Sequence, residues 1–330
     1  MKIIYSDGAE EKSCLNMINN LQRRFADGLS TFNETLPNEI FWYRNEGKNG
    51  GGKRFEFLNS SFILSASINI SQVHYKPNNN KNLISATALS AIVHPFHSIH
   101  PSIHLHISLM KFINADYYWR VMADLNPSIP DDDQTKVFEQ ILTDIAPNHI
   151  EKAFDNGKKY FYIPSHNRYR GVCHFYLEKY KSNNFEEDLR FAEKIGSNVI
   201  STYLSFLNSK KNIELDVINN IDTRIAYHTL YFFQVVTLDR GTTAGLLVHN
   251  ENDIGILGSL PFIINKNLLS SWIPITLDPQ DLLLERIVNL MPNVALVEID
   301  SVLKIKIAEV IRKFYLEFPS ALNNQAIMPS

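Results

Sequence analysis

The sequence predicts one α+β domain built around an antiparallel sheet. Segments rich in β-branched and aromatic residues follow one another from Phe55 with only short turns between them, which is typical of an antiparallel meander. Helical patterns occur before, within and after this region. No internal repeat, proline-rich linker or block of charge divides the chain, so residues 1–330 are expected to form a single domain.

The individual elements follow from hydrophobic periodicity. Apolar residues at helical spacing predict an N-terminal helix at about 13–30. Strands are predicted in RFEFL, SSFILSASINISQV, SATALSAIVH, SIHLHISLMKF, ADYYWRVMADL, RGVCHFYL, HTLYFFQVVTL and AGLLVH. Helices are predicted in DDDQTKVFEQILTDI, in FEEDLRFAEKIGSNVISTYLSFL and in a helical C-terminal part at about 275–330, whose apolar faces are expected to cover a sheet or a partner subunit. The connection at 76–82 is expected to be an exposed loop.

Composition and charge restrict the class of ligand. The formal net charge of -3 provides no field that would attract a phosphate backbone or an anionic membrane, so a small molecule is the expected partner rather than nucleic acid. The two cysteines, Cys14 and Cys173, form no CxxC pair and fit a reducing compartment. No targeting segment is recognised, and the longest apolar run is too short to span a bilayer, so a cytoplasmic location is expected.

A histidine-rich segment is the first candidate site. Residues 92–109 contain His94, His97, His100, His104 and His106. In SIHLHISL, apolar side chains alternate with His104, His106 and Ser108, so the polar set shares one face of a strand that is expected to be wet or to hold a ligand. His104 and His106 have a spacing that suits a metal ion, but no third ligand stands at a known spacing, so a metal site is the less favoured alternative.

Charged residues near the ends of predicted strands are candidates for binding carboxylates. Arg168 and Arg170 lie at one strand start, and Asp239 and Arg240 follow an apolar segment. Guanidinium groups can hold carboxylates through two hydrogen bonds, although Arg240 could equally pair with its own Asp239 to fix a turn. Asp124 lies in an apolar context, where it would have a raised pKa and serve as a base, or else cap the following helix.

The glycine-rich segment GKNGGGKR matches the spacing of a phosphate-binding loop. Gly47, Gly52 and Lys53 have the required positions, but Arg54 stands where Ser or Thr must bind magnesium, and a strand follows where a helix is needed. The glycines are therefore predicted to form a flexible turn.

Six segments, taken in order, resemble the oxygen-dependent coproporphyrinogen III oxidase family. The first two are GGGKRFEFLNSSFILSASINISQV, similar to its glycine-rich strand pair, and ATALSAIVHPFHSIHPSIHLHISL, similar to ATGVSLVIHP…PTVH. The next two are WRVMADLNPSIPDDDQTKVFEQIL, similar to W-F-G-G-G-x-D-L-T-P and its helix, and YFYIPSHNRYRGVCHFYL, similar to YFF…HR…RRGIGGIFF. The last two are FAEKIGSNVISTYLSFL, similar to a later family helix, and LDRGTTAGLL…GILGSLP, similar to YDRGT-x-x-GL…ILMSLPP. The matches run from about Gly50 to Pro261.

This resemblance implies a large flat antiparallel sheet with helices on both faces, a homodimer and a cleft for a tetrapyrrole. Family members convert two propionates of coproporphyrinogen III into vinyl groups in heme biosynthesis, using dioxygen as co-substrate and neither metal nor organic cofactor. A buried carboxylate takes or polarises the pyrrole N–H, and arginines hold the propionates.

The resemblance also implies roles for particular residues. Asp124 occupies the position of the carboxylate and His104 that of the strand histidine. Arg170 and Arg240 occupy the positions of carboxylate-binding arginines, with Asp239 as the acid that fixes the turn. Further substrate-binding candidates on the matching segments are Ser90, His94, His106, Ser108, Arg120 and Arg168.

Some positions depart from the family pattern. Ser108 stands where the family carries an arginine, and Lys266 stands in place of a tryptophan. Arg120, Val121 and Met122 replace three glycines before the carboxylate, and these side chains are expected to fill part of the space for a flat ring. Arg120 could supply the guanidinium that Ser108 lacks.

Three functional hypotheses follow. The first is a divergent coproporphyrinogen III oxidase. The second is a family member that acts on a smaller carboxylated aromatic or pyrrolic metabolite, with the same dioxygen chemistry or with a metal at His104 and His106. The third is a non-catalytic dimer that binds a tetrapyrrole. The C-terminal helices resemble the family least and are expected to complete the dimer interface.

Overall fold

A seven-stranded antiparallel sheet lies at the centre of the structure. The computed structural model describes residues 1–33, 36–75, 82–114, 116–209 and 220–326. The strands are β1 (Asn38–Tyr43), β2 (Gly50–Leu58), β3 (Ile63–His74), β4 (Leu83–Pro95), β5 (Ser102–Phe112), β6 (Tyr117–Asn126), β7 (Tyr162–Ile163), β8 (Arg168–Tyr169), β9 (Cys173–Tyr180), β10 (Ile263–Asn265) and β11 (Leu296–Glu298). The central sheet has the order β1-β2-β3-β4-β5-β6-β9, which confirms the predicted meander, while β7 pairs with β8 and β10 pairs with β11.

Helices precede, interrupt and follow the sheet. They are α1 (Ala9–Ser30), α2 (Asp132–Ile145), α3 (Ile150–Phe161), α4 (Phe185–Ser209), α5 (Ile221–Thr237), α6 (Arg240–Val248), α7 (Asp253–Ile256), α8 (Lys266–Ser271), α9 (Gln280–Leu290) and α10 (Ser301–Glu317). The predicted N-terminal helix is confirmed and begins at Ala9 rather than near residue 13. Residues 76–81 of the loop predicted at 76–82 lie outside the described residues.

One face of the sheet is apolar and carries the first hydrophobic core. Ile103, Leu105 and Ile107 of β5 are fully buried there. Helices α1 and α4 cover this face, because a Cβ atom placed on Gly196 of α4 would touch Leu21 of α1 and Ile107 of β5. Each fully buried aliphatic side chain of this kind contributes about 1.5–3 kcal/mol to the free energy of folding.

The opposite face is polar and is covered by a second helical layer. Phe161 of α3 stacks on His174 of β9, and His94 of β4 hydrogen-bonds the carbonyl of Ser259. The apolar faces of α5, α9 and α10 pack on one another here and form the second core. The C-terminal helices thus bury their apolar faces within this chain, and the predicted α+β fold with helices on both faces of one sheet is confirmed.

Two predicted strands are in fact helices. The segment HTLYFFQVVTL lies in α5 and AGLLVH in α6. Every residue of α5 from Tyr227 to Thr237 is buried, so apolar residues occur on all sides of the helix and the 3.6-residue period disappears from the sequence. A continuous apolar run of this length fits a buried helix as well as a buried strand.

The glycine-rich segment is mostly strand rather than flexible turn. Gly50, Gly51 and Gly52 are the first residues of β2. Gly50 has a φ of +91°, which only glycine adopts without strain, and this lets the chain enter the strand directly from the tight turn before it.

None of the helices in the described ranges combines the length and hydropathy needed to cross a membrane. Cys14 and Cys173 are both buried and unbridged.

Candidate active site

The strand register identifies which side chains share the polar face. Directly paired residues of antiparallel strands point to the same side of the sheet. His104 of β5 pairs with Asp124 of β6, and Asp124 pairs with His174 of β9. On its other side, β5 places His106 beside Ser90 of β4. The polar residues predicted from β4, β5 and β6 therefore occupy one continuous surface.

Asp124 is the centre of a buried ionic network. Its side chain is fully buried. The Oδ2 atom accepts hydrogen bonds from His104 Nδ1 at 2.7 Å and from Arg170 Nη2 at 2.8 Å. His174 Nδ1 lies 3.5 Å from Oδ1, which is the outer limit for a hydrogen bond. The carboxylate is thus held from three sides by its own chain.

The predicted raised pKa of Asp124 is wrong. Burial by itself would raise the pKa, but the imidazoles of His104 and His174 and the guanidinium of Arg170 outweigh burial and lower it to about 2. Asp124 is also not the cap of the next helix, because Asp131 caps α2 by accepting hydrogen bonds from the backbone N–H groups of Asp133 and Gln134. Asp124 is an ionised acceptor at neutral pH.

Arg170 is fixed between two aromatic rings. Its guanidinium carbon lies 4.1 Å from the centre of the Phe161 ring and 4.4 Å from that of Tyr231. Its Nη1 donates a hydrogen bond of 2.8 Å to Gln234 of α5. Stacking and hydrogen bonding together hold the buried cation against Asp124. Arg170 therefore neutralises a carboxylate of this chain.

The contact with Asp124 determines the tautomer of His104. An ionised carboxylate can only accept hydrogen bonds, so Nδ1 of His104 must carry the proton that is shared with Asp124. In the neutral imidazole, Nε2 is then an unprotonated acceptor. The His104 side chain is 14% exposed, whereas Asp124 is inaccessible. His104 is the member of the pair that can touch a ligand, and Asp124 orients it.

An open strip of mostly small residues continues from His104 across the sheet. It consists of Asn69, Ser71, Ala88, Ser90 and His106, which are all partly exposed. Ser108 is buried and shares a hydrogen bond of 3.0 Å with Nε2 of His106. Burial, with the guanidinium of Arg120 acting in the same direction, lowers the pKa of His106 to about 3, so this imidazole is neutral at pH 7. The strip is an accessible part of the polar face beside His104.

Of the three residues that the resemblance sets against glycines, two lie on the polar face. Arg120 pairs with Ser108 in the register and donates a hydrogen bond of 2.8 Å to Glu178. Met122 pairs with His106 and lies on the same face. Val121 instead lies in the core on the apolar face, so the expectation that it fills ligand space is wrong.

His94 is fully buried on the polar face. Its Nδ1 contacts Ser102 Oγ at 2.9 Å and its Nε2 contacts the Ser259 carbonyl at 3.0 Å. Burial lowers the pKa of His94 to about 4. Both ring nitrogens therefore have partners within the chain, and His94 joins the sheet to the segment after α7.

The remaining predicted charges lie outside this network. Arg168 is exposed on β8, and Arg240 is the exposed first residue of α6 rather than the end of a strand. Asp239 caps α6 by accepting a hydrogen bond of 2.7 Å from the Thr242 N–H. Lys266 donates hydrogen bonds to two backbone carbonyls after α9 and fixes that turn.

The alternative of a metal site depends on two histidines as ligands. His104 Nδ1 contacts Asp124, and His106 Nε2 contacts Ser108. In the described ranges, no group of three or more His, Cys, Asp or Glu side chains is arranged to hold a metal ion.

Several residues of the Asp124 network and its surroundings were not predicted. They are His174, Tyr231, Gln234, Phe161 and Glu178. The strand CHFYLEKY alternates apolar residues with His174, Tyr176 and Glu178 just as β5 alternates, so that signal was available for two of them. The residues on α5 gave no such signal, because this helix is apolar on all sides.

Comparison with known proteins identifies relatives for most of the chain. A sequence model of the coproporphyrinogen III oxidase family matches residues 13–270. The oxygen-dependent coproporphyrinogen-III oxidase of Rickettsia akari is 25% identical over 242 residues, covering 67% of this chain and 81% of the relative. The enzyme of the same name from Francisella tularensis subsp. holarctica is 26% identical over 186 residues, covering 53% of this chain and 59% of the relative. The chain therefore belongs to the coproporphyrinogen III oxidase family.

Proposed function

We propose that this protein catalyses a dioxygen-dependent oxidative decarboxylation of the coproporphyrinogen III oxidase type. In this reaction a propionate side chain and dioxygen give a vinyl group, carbon dioxide and hydrogen peroxide. Two electrons pass from the substrate to dioxygen, so the balance needs no further oxidant. The family membership and the names of the relatives support the reaction class.

The main structural support for the proposal is the hydrogen bond between Asp124 and His104 beside the open strip. Asp124 holds the proton of His104 on Nδ1, which leaves Nε2 free to accept a proton from a pyrrole N–H of a ligand bound on the open strip. The buried Asp124 carboxylate then stabilises the imidazolium that forms. Removing the pyrrole proton makes the ring electron-rich and so prepares it for attack on dioxygen.

Arg120 is proposed to hold a carboxylate of the substrate. Its Nε is paired with Glu178, while its side chain remains 30% exposed. Because Ser108 faces Arg120 across β5 and β6, the guanidinium stands beside the position where the family carries an arginine. A charge-assisted hydrogen bond from this group would contribute about 1.5–3 kcal/mol to binding.

A smaller pyrrolic or aromatic carboxylate is the second candidate substrate. One observation favours it: Arg120 and Met122 both project from β6 onto the face where the family has glycines. The same base and the same dioxygen chemistry would apply to a ligand that covers only part of the open strip.

One assay tests the proposed reaction. Coproporphyrinogen III is prepared anaerobically and mixed with metal-stripped protein and dioxygen, while oxygen uptake is recorded and porphyrin products are separated by chromatography. We expect the divinyl product, with one dioxygen consumed for each vinyl group formed. Oxygen uptake only after metal is restored would contradict the metal-free chemistry. Binding of coproporphyrin with no uptake under either condition would instead support a non-catalytic tetrapyrrole-binding protein.

Homodimer formation and a cytoplasmic location are further parts of this proposal. The first rests on the family resemblance, and the second rests on the two unpaired cysteines, which fit a reducing compartment. Light scattering of the purified chain tests the first, and we expect the mass of two chains. Fractionation of the source cells tests the second.

A further inference from the structure

His174 is a second imidazole at the Asp124 carboxylate. It lies on β9 directly opposite Asp124 in the strand register, and its side chain is 3% exposed. The segment RGVCHFYL, which contains it, resembles RRGIGGIFF, and counting from the shared Arg-Gly places the histidine where that pattern has a glycine. The resemblance therefore assigns no role to this side chain, and its role has to be inferred from its contacts.

The polar contact of His174 is with the oxygen of Asp124 that His104 and Arg170 leave unpaired. Those two side chains both bind Oδ2. Nδ1 of His174 lies 3.5 Å from Oδ1, and neither atom has a hydrogen-bond partner besides this contact in the part of the chain that the structure describes. A buried carboxylate oxygen without a donor is unfavourable, so Nδ1 of His174 is expected to direct a proton at Oδ1.

Apolar contacts fix the ring of His174. It stacks on Phe161 with a distance of 4.9 Å between ring centres and an angle of 29° between ring planes. Gly157 lets the backbone of α3 approach closely, because a Cβ atom there would lie 2.7 Å from the Cβ atom of His174. Its Nε2 is also buried and has no hydrogen-bond partner among the described residues. The ring is thus held between α3 and β9 with Asp124 as its polar neighbour.

We propose that His174 is a positioning residue, which fixes Oδ1 of Asp124 so that Oδ2 stays directed at Nδ1 of His104. Without a group at Oδ1, the carboxylate is freer to rotate about its Cβ–Cγ bond, and the hydrogen bond to His104 loses its single geometry. The inference rests on the proposed function, because Nε2 of His104 can act as the base only while Nδ1 carries the proton. His174 acts through Asp124 and does not touch the substrate.

NMR of the full-length protein with nitrogen-labelled histidine, recorded at pH 7, tests this role without a substrate, because the shifts of the two ring nitrogens identify the tautomer. His174→Leu removes the donor and keeps an apolar side chain against Phe161, whereas His174→Asn keeps a donor near the position of Nδ1. The spectrum of His104→Gln assigns the signals of His104. We expect the proton on Nδ1 of His104 in the unaltered protein and in His174→Asn, and a mixture of both tautomers in His174→Leu.

Steady-state oxygen uptake with coproporphyrinogen III is the second readout. His174→Leu should lower kcat by up to about 100-fold with little change in KM, because the base is misaligned while the binding groups are untouched. His174→Asn should recover most of this loss. His149→Leu is the matched control, since that histidine lies just before α3 and contacts the rings of Tyr180 and Phe191. Its kcat should equal that of the unaltered protein.

The outcomes separate the two proposals. If His104 keeps its proton on Nδ1 in His174→Leu, the positioning role is refuted, even where that variant has a lower unfolding midpoint. No oxygen uptake by the unaltered protein would refute the proposed function, and the tautomer of His104 in His174→Leu would still decide the role of His174. If His174→Leu does not fold, His174→Ala takes its place in both measurements.

Discussion

The two faces of strand β5 differ in what they do, although their residues alternate along one short segment. Ile103, Leu105 and Ile107 point into the core and are fully buried. His104 and His106 point to the other side, remain partly exposed and contact polar partners. The apolar face is a source of stability and the polar face is the candidate site. Changes on the two faces should therefore have separable effects, and the predictions below test this separation.

The largest effect is expected at Asp124, which contributes both to stability and to the candidate site. Asp124→Asn keeps the shape of the side chain but removes the charge that compensates Arg170 and orients His104. We expect a loss of about 3–5 kcal/mol in the free energy of unfolding, because a buried cation is left unpaired. Oxygen uptake should fall by roughly 10²–10⁴-fold. Urea unfolding measures the loss of stability, and an oxygen electrode measures the loss of uptake. A variant that is fully stable and active would contradict the proposed role of the Asp124 carboxylate.

Leu105→Ala should affect stability alone. Leu105 is fully buried on the apolar face, one residue from His104. Truncation leaves a cavity and should lower the free energy of unfolding by about 2–5 kcal/mol. Turnover per folded molecule should remain unchanged in assays well below the unfolding temperature. A large loss of turnover with folded protein would show that the two faces are not independent.

Acid should destabilise the protein through the polar face. The pKa of His94 is lowered to about 4 in the folded protein, whereas the unfolded value is about 6.5. Below pH 6.5 the unfolded chain therefore binds a proton that the folded chain does not, and stability falls as the pH drops toward 4. This group contributes at most about 3 kcal/mol. His94→Gln should flatten the pH dependence of the unfolding midpoint between pH 6.5 and 4; an unchanged slope would contradict this assignment.

The smallest of these effects is expected at Arg120. Arg120→Met should raise KM for the carboxylated substrate by roughly tenfold, because one charge-assisted hydrogen bond is lost. The single variant also leaves the buried Glu178 without its cationic partner, with only the hydroxyl of Tyr176 as a hydrogen-bond donor. The control is therefore the double variant Arg120→Met with Glu178→Gln, which should recover stability but not KM. A KM equal to that of the unaltered protein in both variants would remove Arg120 from the binding site.

The sequence predicted the half-buried strands well and the fully buried helices poorly. β5 and β9 show a period of two, because one face is apolar and the other polar. Helix α5 has no such contrast and resembled a strand. Helix α3 was not predicted, since Gly157 weakens its helical signal. That glycine allows the helix backbone to approach His174, because a Cβ atom there would lie 2.1 Å from the His174 carbonyl oxygen.

The candidate site was predicted as a set of residues but not as an arrangement. The resemblance identified Asp124, His104 and Arg170, and the structure brings all three into one network. The sequence could not show that Arg170 neutralises Asp124, because β6 and the segment before β9 are separated along the chain by two helices. This contact determines the sign of the pKa shift of Asp124. The predicted roles of Arg168 and Arg240 in substrate binding remain predictions.

The most direct test of the account is the oxygen uptake of His104→Gln with coproporphyrinogen III, measured beside the unaltered protein and Leu105→Ala. If His104 is the base that Asp124 orients toward the ligand, the variant should lose roughly 10²–10⁴-fold in rate, with an unfolding midpoint close to that of the unaltered protein. Vinyl formation by His104→Gln at the unaltered rate would contradict the account, because the polar face of β5 would then hold no catalytic group.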